Sequence, residues 1–116
     1  MKKPSVLRDK SFNFSLAIVE TCRFLKETKT EYLLYNQLIR SGTAIGALIR
    51  EAEFAQSKAD FISKLSIALK EANETEYWIE ILSGSHNLHE KMKDDLSFLL
   101  TEIIKMLVSS ITTAKG

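Results

Sequence analysis

Arg40–Phe61 reads RSGTAIGALIREAEFAQSKADF, and its first half has helical apolar spacing although it contains Ser41, Gly42, Thr43 and Gly46. Each helix-interior glycine costs about 1 kcal/mol relative to alanine, so the pair costs about 2 kcal/mol. Small side chains offset such a cost when they let a second helix approach closely and gain dispersion contact. Ser41, Gly42, Gly46 and Ala52, with Ala44 and Ala47 between them, are therefore the expected helix-packing positions. A phosphate-binding loop does not fit, because no Lys-Ser/Thr pair follows the glycines and no strand precedes them.

Working outward, the segment belongs to a helix expected over residues 31–55, with Leu34, Leu38, Ile45, Leu48, Ala52 and Ala55 as its apolar stripe. Ser57, with Asp60 three residues on, resembles a capping box with Asp in place of Glu. It starts a helix expected over 58–82, where Phe61, Leu65, Ala68, Ala72, Thr75, Ile79 and Leu82 alternate in steps of three and four. That seam suits a helix bundle. Ile67, Trp78 and Ile81 lie off the seam, with Tyr77 nearby. A helix apolar on more than one face is buried on more than one side, so these three mark an expected subunit interface. A first helix over 9–28 carries Phe14, Ile18, Cys22 and Leu25 on one face, with Phe12, Leu16 and Val19 alongside. After the turn SGSHN, Ser83–Asn87, a fourth helix over 90–113 carries Leu96, Leu99, Leu100, Ile103, Ile104, Leu107 and Ile111. No strand-like alternation appears. Four helices with short connections in one domain predict an all-α, antiparallel up-down-up-down four-helix bundle.

Composition agrees. Of 116 residues, 45% are apolar and 27% charged, and a lone proline with four glycines favours long helices and short loops. The longest stretches without a charged side chain are nine residues, such as Ser41–Ile49, so no membrane span is expected. No apolar run follows Lys2 and Lys3, so no secretory signal is expected. Cys22 has no partner cysteine, which fits a reducing cytoplasm.

Charge is unevenly placed despite a net +1. Residues 1–29 hold seven basic against three acidic side chains, net +4, and residues 51–80 hold three against seven, net −4. Solvation of helix surfaces accounts for much of this. A basic first helix meeting a phosphate backbone is the sharper reading, and Arg8, Arg23, Lys26 and Lys29 are its candidate nucleic-acid-binding residues, although no aromatic platform interleaves them. Arg40 and Glu51 bracket the small-residue stretch. Glu51 is expected near Glu71, Glu74 and Glu76 of the next helix, with Arg40 or Arg50 supplying the neutralising charge, within the subunit or across an interface.

Catalytic, cofactor and metal sites are not expected. His86 and His89 form an H-x-x-H in a turn, and two ligands are too few for stable zinc. A di-iron bundle needs inward Glu-x-x-His pairs. Cys22 falls on an apolar face, where a thiol is inert, and Ser41 and Thr43 have no histidine close in sequence.

The run RSGTAIGALIREAEFAQSKADFISKLSIALKEANETEYWIEIL, Arg40–Leu82, resembles the four-helix-bundle family of bacterial 23S rRNA intervening-sequence proteins, some of which carry the label S23 ribosomal protein. The matching features are the small-residue helix Ser41–Ala52, the helix start Ser57–Phe61, the Leu-x-Ile-Ala of Leu65–Ala68 and the acidic Glu71–Glu80. The resemblance implies a bundle that assembles as a homo-oligomer, a homopentameric ring, without a small-molecule substrate. It also implies a link to the accessory variability protein of diversity-generating retroelements, a basic pentamer that binds a reverse transcriptase and nucleic acid. This chain's near-neutral charge departs from that branch. The expected function is a non-enzymatic scaffold or adaptor touching RNA or an RNA-associated protein; the alternative is direct binding of structured RNA through the basic face of helix one.

Overall fold

Ser5 is extended (φ −88°, ψ 123°), and its hydroxyl accepts from the Arg8 N–H at 3.1 Å, so a helix starts directly behind it. The computed structural model describes residues 5–116. It contains α1 (Val6–Glu27), α2 (Tyr32–Glu53), α3 (Lys58–Gly84) and α4 (Glu90–Lys115). The first helix thus begins three residues before the expected Asp9, because the Ser5 cap outranks the apolar pattern as a start signal. The α2 helix stops two residues before Ala55, with Phe54 as C-cap. The α1 helix ends one residue before the expected Thr28, and the expected ends of α3 and α4, Leu82 and Thr113, are each exceeded by two residues.

Two of the turns share one device. Lys29 N–H donates to Lys26 O (3.1 Å) and Thr30 N–H to Leu25 O (2.9 Å), with Lys29 at φ 65°. His86 N–H donates to Ser83 O (3.0 Å) and Asn87 N–H to Leu82 O (2.8 Å), with His86 at φ 66°. Both are Schellman endings with a left-handed residue behind the helix. The Thr30 hydroxyl donates to Asn87 Oδ1 at 3.2 Å, tying the two turns together at one end of the molecule. At the other end, the Ser57 hydroxyl accepts from the Asp60 N–H at 3.0 Å, and Asp60 Oδ2 accepts from the Gln56 N–H at 3.2 Å. The reciprocal bond of this capping box therefore reaches one residue further back than the usual pattern.

Neighbouring helices run in opposite directions. Along α1 and α2, Cys22 meets Tyr35, Ile18 meets Gly42, Ser15 meets Gly46 and Arg8 meets Glu53. The α4 helix closes back on α1, where Lys10 meets Glu102 and Phe24 meets His89. The result is a four-helix bundle 45 Å long and 21 × 19 Å across, and the 27 residues of α3 nearly span that length.

The core is built from one stripe per helix: Phe14, Ile18, Cys22 and Leu25; Leu38, Ile45, Ile49 and Ala52; Leu65, Ala68, Ala72, Thr75, Ile79 and Leu82; Leu96, Leu100, Ile103 and Leu107. Ile49 is fully inside, whereas Leu34, Leu48 and Ala55 are half-buried. Phe12 and Leu16, placed by sequence beside the core, are about half exposed, at 49% and 51%. By length and hydropathy α4 would suit a membrane, contrary to what uncharged run length suggested, since scattered charges still leave a high mean. In the bundle, its Leu96, Leu100, Ile103 and Leu107 are buried.

Gly42 and Gly46 face α1. A Cβ on Gly42 would stand 2.9 Å from Ile18 Cγ1, and one on Gly46 would stand 3.3 Å from Ser15 Oγ and 3.4 Å from Ser11 O. Ser41 instead faces α3. Its hydroxyl donates to Gln37 O (3.0 Å), leaving the oxygen to accept from Thr75 Oγ1 at 2.9 Å. Both residues are fully buried. Ala52 is buried near the far end of α2. One helix thus approaches both neighbours closely, through glycines on one side and a paired hydroxyl on the other.

Candidate functional site

The basic residues of α1 split along its length. Arg8 lies at the start, 3.7 Å from Glu53 of α2. Arg23 and Lys26 lie fifteen and more residues on, about 22 Å away along the axis. Lys29 follows in the turn, where its backbone closes the helix. Arg23 Nη1 is 3.3 Å from Glu20 Oε2, with both side chains more than two-thirds exposed, so the pair is weak. Lys2 and Lys3, which contribute to the basic N-terminal count, lie outside the described residues.

What α1 lacks, α2 supplies. Val19, Cys22, Arg23 and Lys26 of α1 face Tyr32, Tyr35, Asn36 and Ile39 of α2 across an open, mostly apolar groove of about 290 Å³. Tyr32 and Tyr35 meet edge-to-face at 5.6 Å. Sequence reasoning found the cations but not these aromatic residues, because they sit on a different helix and only the antiparallel pairing opposes them. A smaller hollow of about 170 Å³ continues the same seam between Phe12, Ser15, Gly46 and Arg50. There the Arg50 guanidinium lies 5.6 Å from the Phe12 ring centre, a cation–π contact. Arg50 is thus stacked on α1 and pairs with none of Glu71, Glu74 and Glu76 of α3.

Glu71 and Glu74 are served by Arg40. Its guanidinium bonds Glu74 and lies 3.4 Å from Glu71, and the Trp78 indole N–H donates to Glu74 Oε2 at 3.0 Å. The pairing is made within one chain. Glu51 does not join it. It lies with Arg50, Phe54, Gln56, Asp60 and Lys64 around the α2–α3 turn, since antiparallel packing sets the end of α2 against the start of α3. Asp60 is held below the ordinary carboxylate range, chiefly by the Gln56 N–H and then by the Lys64 ammonium.

On the outer side of α3, Ile67 is 39% exposed and Tyr77 55%, while Trp78 and Ile81 are half-buried. Trp78 packs partly on its own core. Further apolar surface lies on α4, with Phe98 66% and Val108 47% exposed.

His86 and His89 border an open depression of about 660 Å³ with Phe24, Thr28, Glu90 and Lys93. The His89 ring meets Phe24 edge-on at 6.2 Å. Among the described residues, no three His, Cys, Asp or Glu side chains converge as a metal set. Cys22 donates to Tyr35 O at 3.4 Å, and burial pushes its thiol up to about 11. A thiol held protonated is a poor nucleophile.

Comparison with known proteins gives two findings. The family described as 23S rRNA-intervening sequence protein matches over residues 5–109. A crystal structure from Bacteroides thetaiotaomicron VPI-5482, described as a protein with unknown function from the S23 ribosomal protein family, is similar at 50% identity with a TM-score of 0.89. The match covers 91% of this chain and 98% of that one. No curated protein matches.

Proposed function

Because the chain belongs to the 23S rRNA-intervening sequence protein family, we propose that it acts as a non-enzymatic, homo-oligomeric scaffold or adaptor for RNA or an RNA-associated protein in the cytoplasm. The observation that carries this reading is the apolar surface on the outer side of α3, where Ile67 and Tyr77 are exposed and Trp78 and Ile81 half-buried, with the Trp78 indole bonded to Glu74 of the Arg40 pair. Exposed apolar residues grouped on one helix face favour burial against a further protein surface, and a second copy is the surface always present. A pentameric ring, and kinship with the accessory variability protein of diversity-generating retroelements, belong to the same proposal. The net charge of +1 separates this chain from that basic branch. Light scattering at micromolar concentration tests the assembly. The expected mass is five times the 13.2 kDa chain, and a monomer contradicts the reading.

A second reading is direct binding of structured RNA. It is favoured by the position of Arg23 and Lys26 at the rim of a groove with an aromatic wall. Titration of a structured RNA at several salt concentrations tests it. Binding that weakens steeply with salt and is abolished by Arg23→Glu/Lys26→Glu supports this reading. Absence of binding at low salt removes it.

A further inference from the structure

The seam between α1 and α2 places an aromatic group beside cations at two stations. At one, Tyr32 and Tyr35 face Arg23 and Lys26. At the other, Phe12 lies under Arg50 with Arg8 beside it. The stations are about eleven residues of α1 apart, roughly 16 Å along a straight axis. A linear, flexible polymer with alternating flat and anionic groups matches such a track.

We propose that the α1–α2 seam binds single-stranded nucleic acid, with one base seated in the Tyr32–Tyr35 groove and its flanking phosphates on Arg23 and Lys26. This rests on the second reading above and names the site and the form of nucleic acid. Tyr32 is 61% exposed, so its ring is open to stacking. The groove wall is apolar along Val19 and Ile39, and the groove encloses about 290 Å³. Lys26 makes no ion pair with the described residues, and Arg23 is held only by the exposed Glu20, which a phosphate displaces readily. The Asn36 side-chain amide lines the groove without a hydrogen bond to any described residue. It offers a donor and an acceptor to a base edge. A duplex cannot use this groove, because its bases are stacked and paired, whereas an unpaired base can be splayed into it.

The test is fluorescence anisotropy of a labelled ten-residue oligouridylate at low salt with the full-length protein. Tyr32→Ala is expected to weaken binding about ten-fold, and Tyr32→Phe to leave it nearly unchanged, since stacking needs the ring and not the hydroxyl. Thermal melts of both variants, followed by circular dichroism, should match the parent. An abasic ten-residue ribose-phosphate chain should bind more weakly and ignore Tyr32→Ala. If Tyr32→Ala binds as tightly as the parent while Arg23→Glu/Lys26→Glu does not bind, the groove assignment fails and the basic-face reading survives. If neither the oligomer nor a structured RNA binds, both fail. If decaglutamate displaces the oligomer with the same dependence on Tyr32, the groove belongs to acidic peptides and the proposal is overturned.

Discussion

Lys29 and His86 occupy the two backbone positions behind α1 and α3 where a left-handed residue is required, and neither is glycine. For an L-residue that conformation costs about 1–2 kcal/mol, although histidine tolerates it better than most. Lys29→Gly is therefore expected to stabilise the fold by about 1 kcal/mol, read as a higher urea midpoint, and no gain would contradict the capping geometry. The opposite holds at Gly42. A Cβ there meets Ile18, which is fully buried and has no room to withdraw. Overpacking costs about 1–3 kcal/mol against about 1 kcal/mol of helix propensity, so Gly42→Ala should be destabilising. Gly46→Ala should be near neutral, because its one tight contact, at 3.3 Å, is to a serine hydroxyl that can rotate aside, and the next atom, Ser11 O, is 3.4 Å away. Cys22 adds a pH dependence. Its thiol ionises near 9.0 when released but near 11 in place. Its contribution to stability is thus intact below pH 9 and lost as pH rises toward 11. Across that window the protein should lose stability more steeply than Cys22→Ala in denaturant melts. The meaning of the H-x-x-H pair also changes at this scale: His86 is a turn residue by its backbone and His89 an aromatic neighbour of Phe24.

Among the elements, α3 was legible almost residue by residue because it has a cap signal, an uninterrupted three-and-four repeat and no competing breaker. Ser57→Ala removes the bond to the Asp60 N–H and is expected to cost about 1 kcal/mol, measured as a lowered thermal midpoint. Asp60 sharpens the effect at acid pH. Its carboxylate is stabilised in the folded chain, so its contribution is present above the ordinary carboxylate range and fades as pH falls through the lowered value. Gly84, which signalled a turn by composition, lies inside α3 with an ordinary φ. The reversal comes two residues later because the helix continues until its Schellman bonds to Leu82 and Ser83 can close. The outer face of α1 was harder to read. Phe12, Leu16 and Val19 continue a helical repeat and look like core, yet a helix in a two-by-two bundle has neighbours on two sides only, and the remainder faces outward.

At the scale of the whole molecule, the spare apolar surface on α3 makes the assembly prediction specific. Ile67→Asp/Ile81→Asp replaces one exposed and one half-buried side chain, neither of them in the buried core. The doubly substituted chain should keep its helicity by circular dichroism while falling to monomer mass by light scattering. An unchanged mass would place the contact on another face, such as that of Phe98 and Val108 on α4.

The order of apolar, small and capping residues along the chain determined four helices, their approximate ends and the stripe each turns inward, because these depend on contacts within a few residues. Family kinship was legible for the same reason, carried by the continuous run from Arg40 to Leu82. Only the tertiary structure decided that Gly42 receives Ile18, that Arg40 and not Arg50 neutralises Glu71 and Glu74, and that Tyr32 and Tyr35 stand opposite Arg23 and Lys26. Those pairings join residues on different helices, and their register follows from how closely the backbones pack and where each turn closes, which no local pattern encodes.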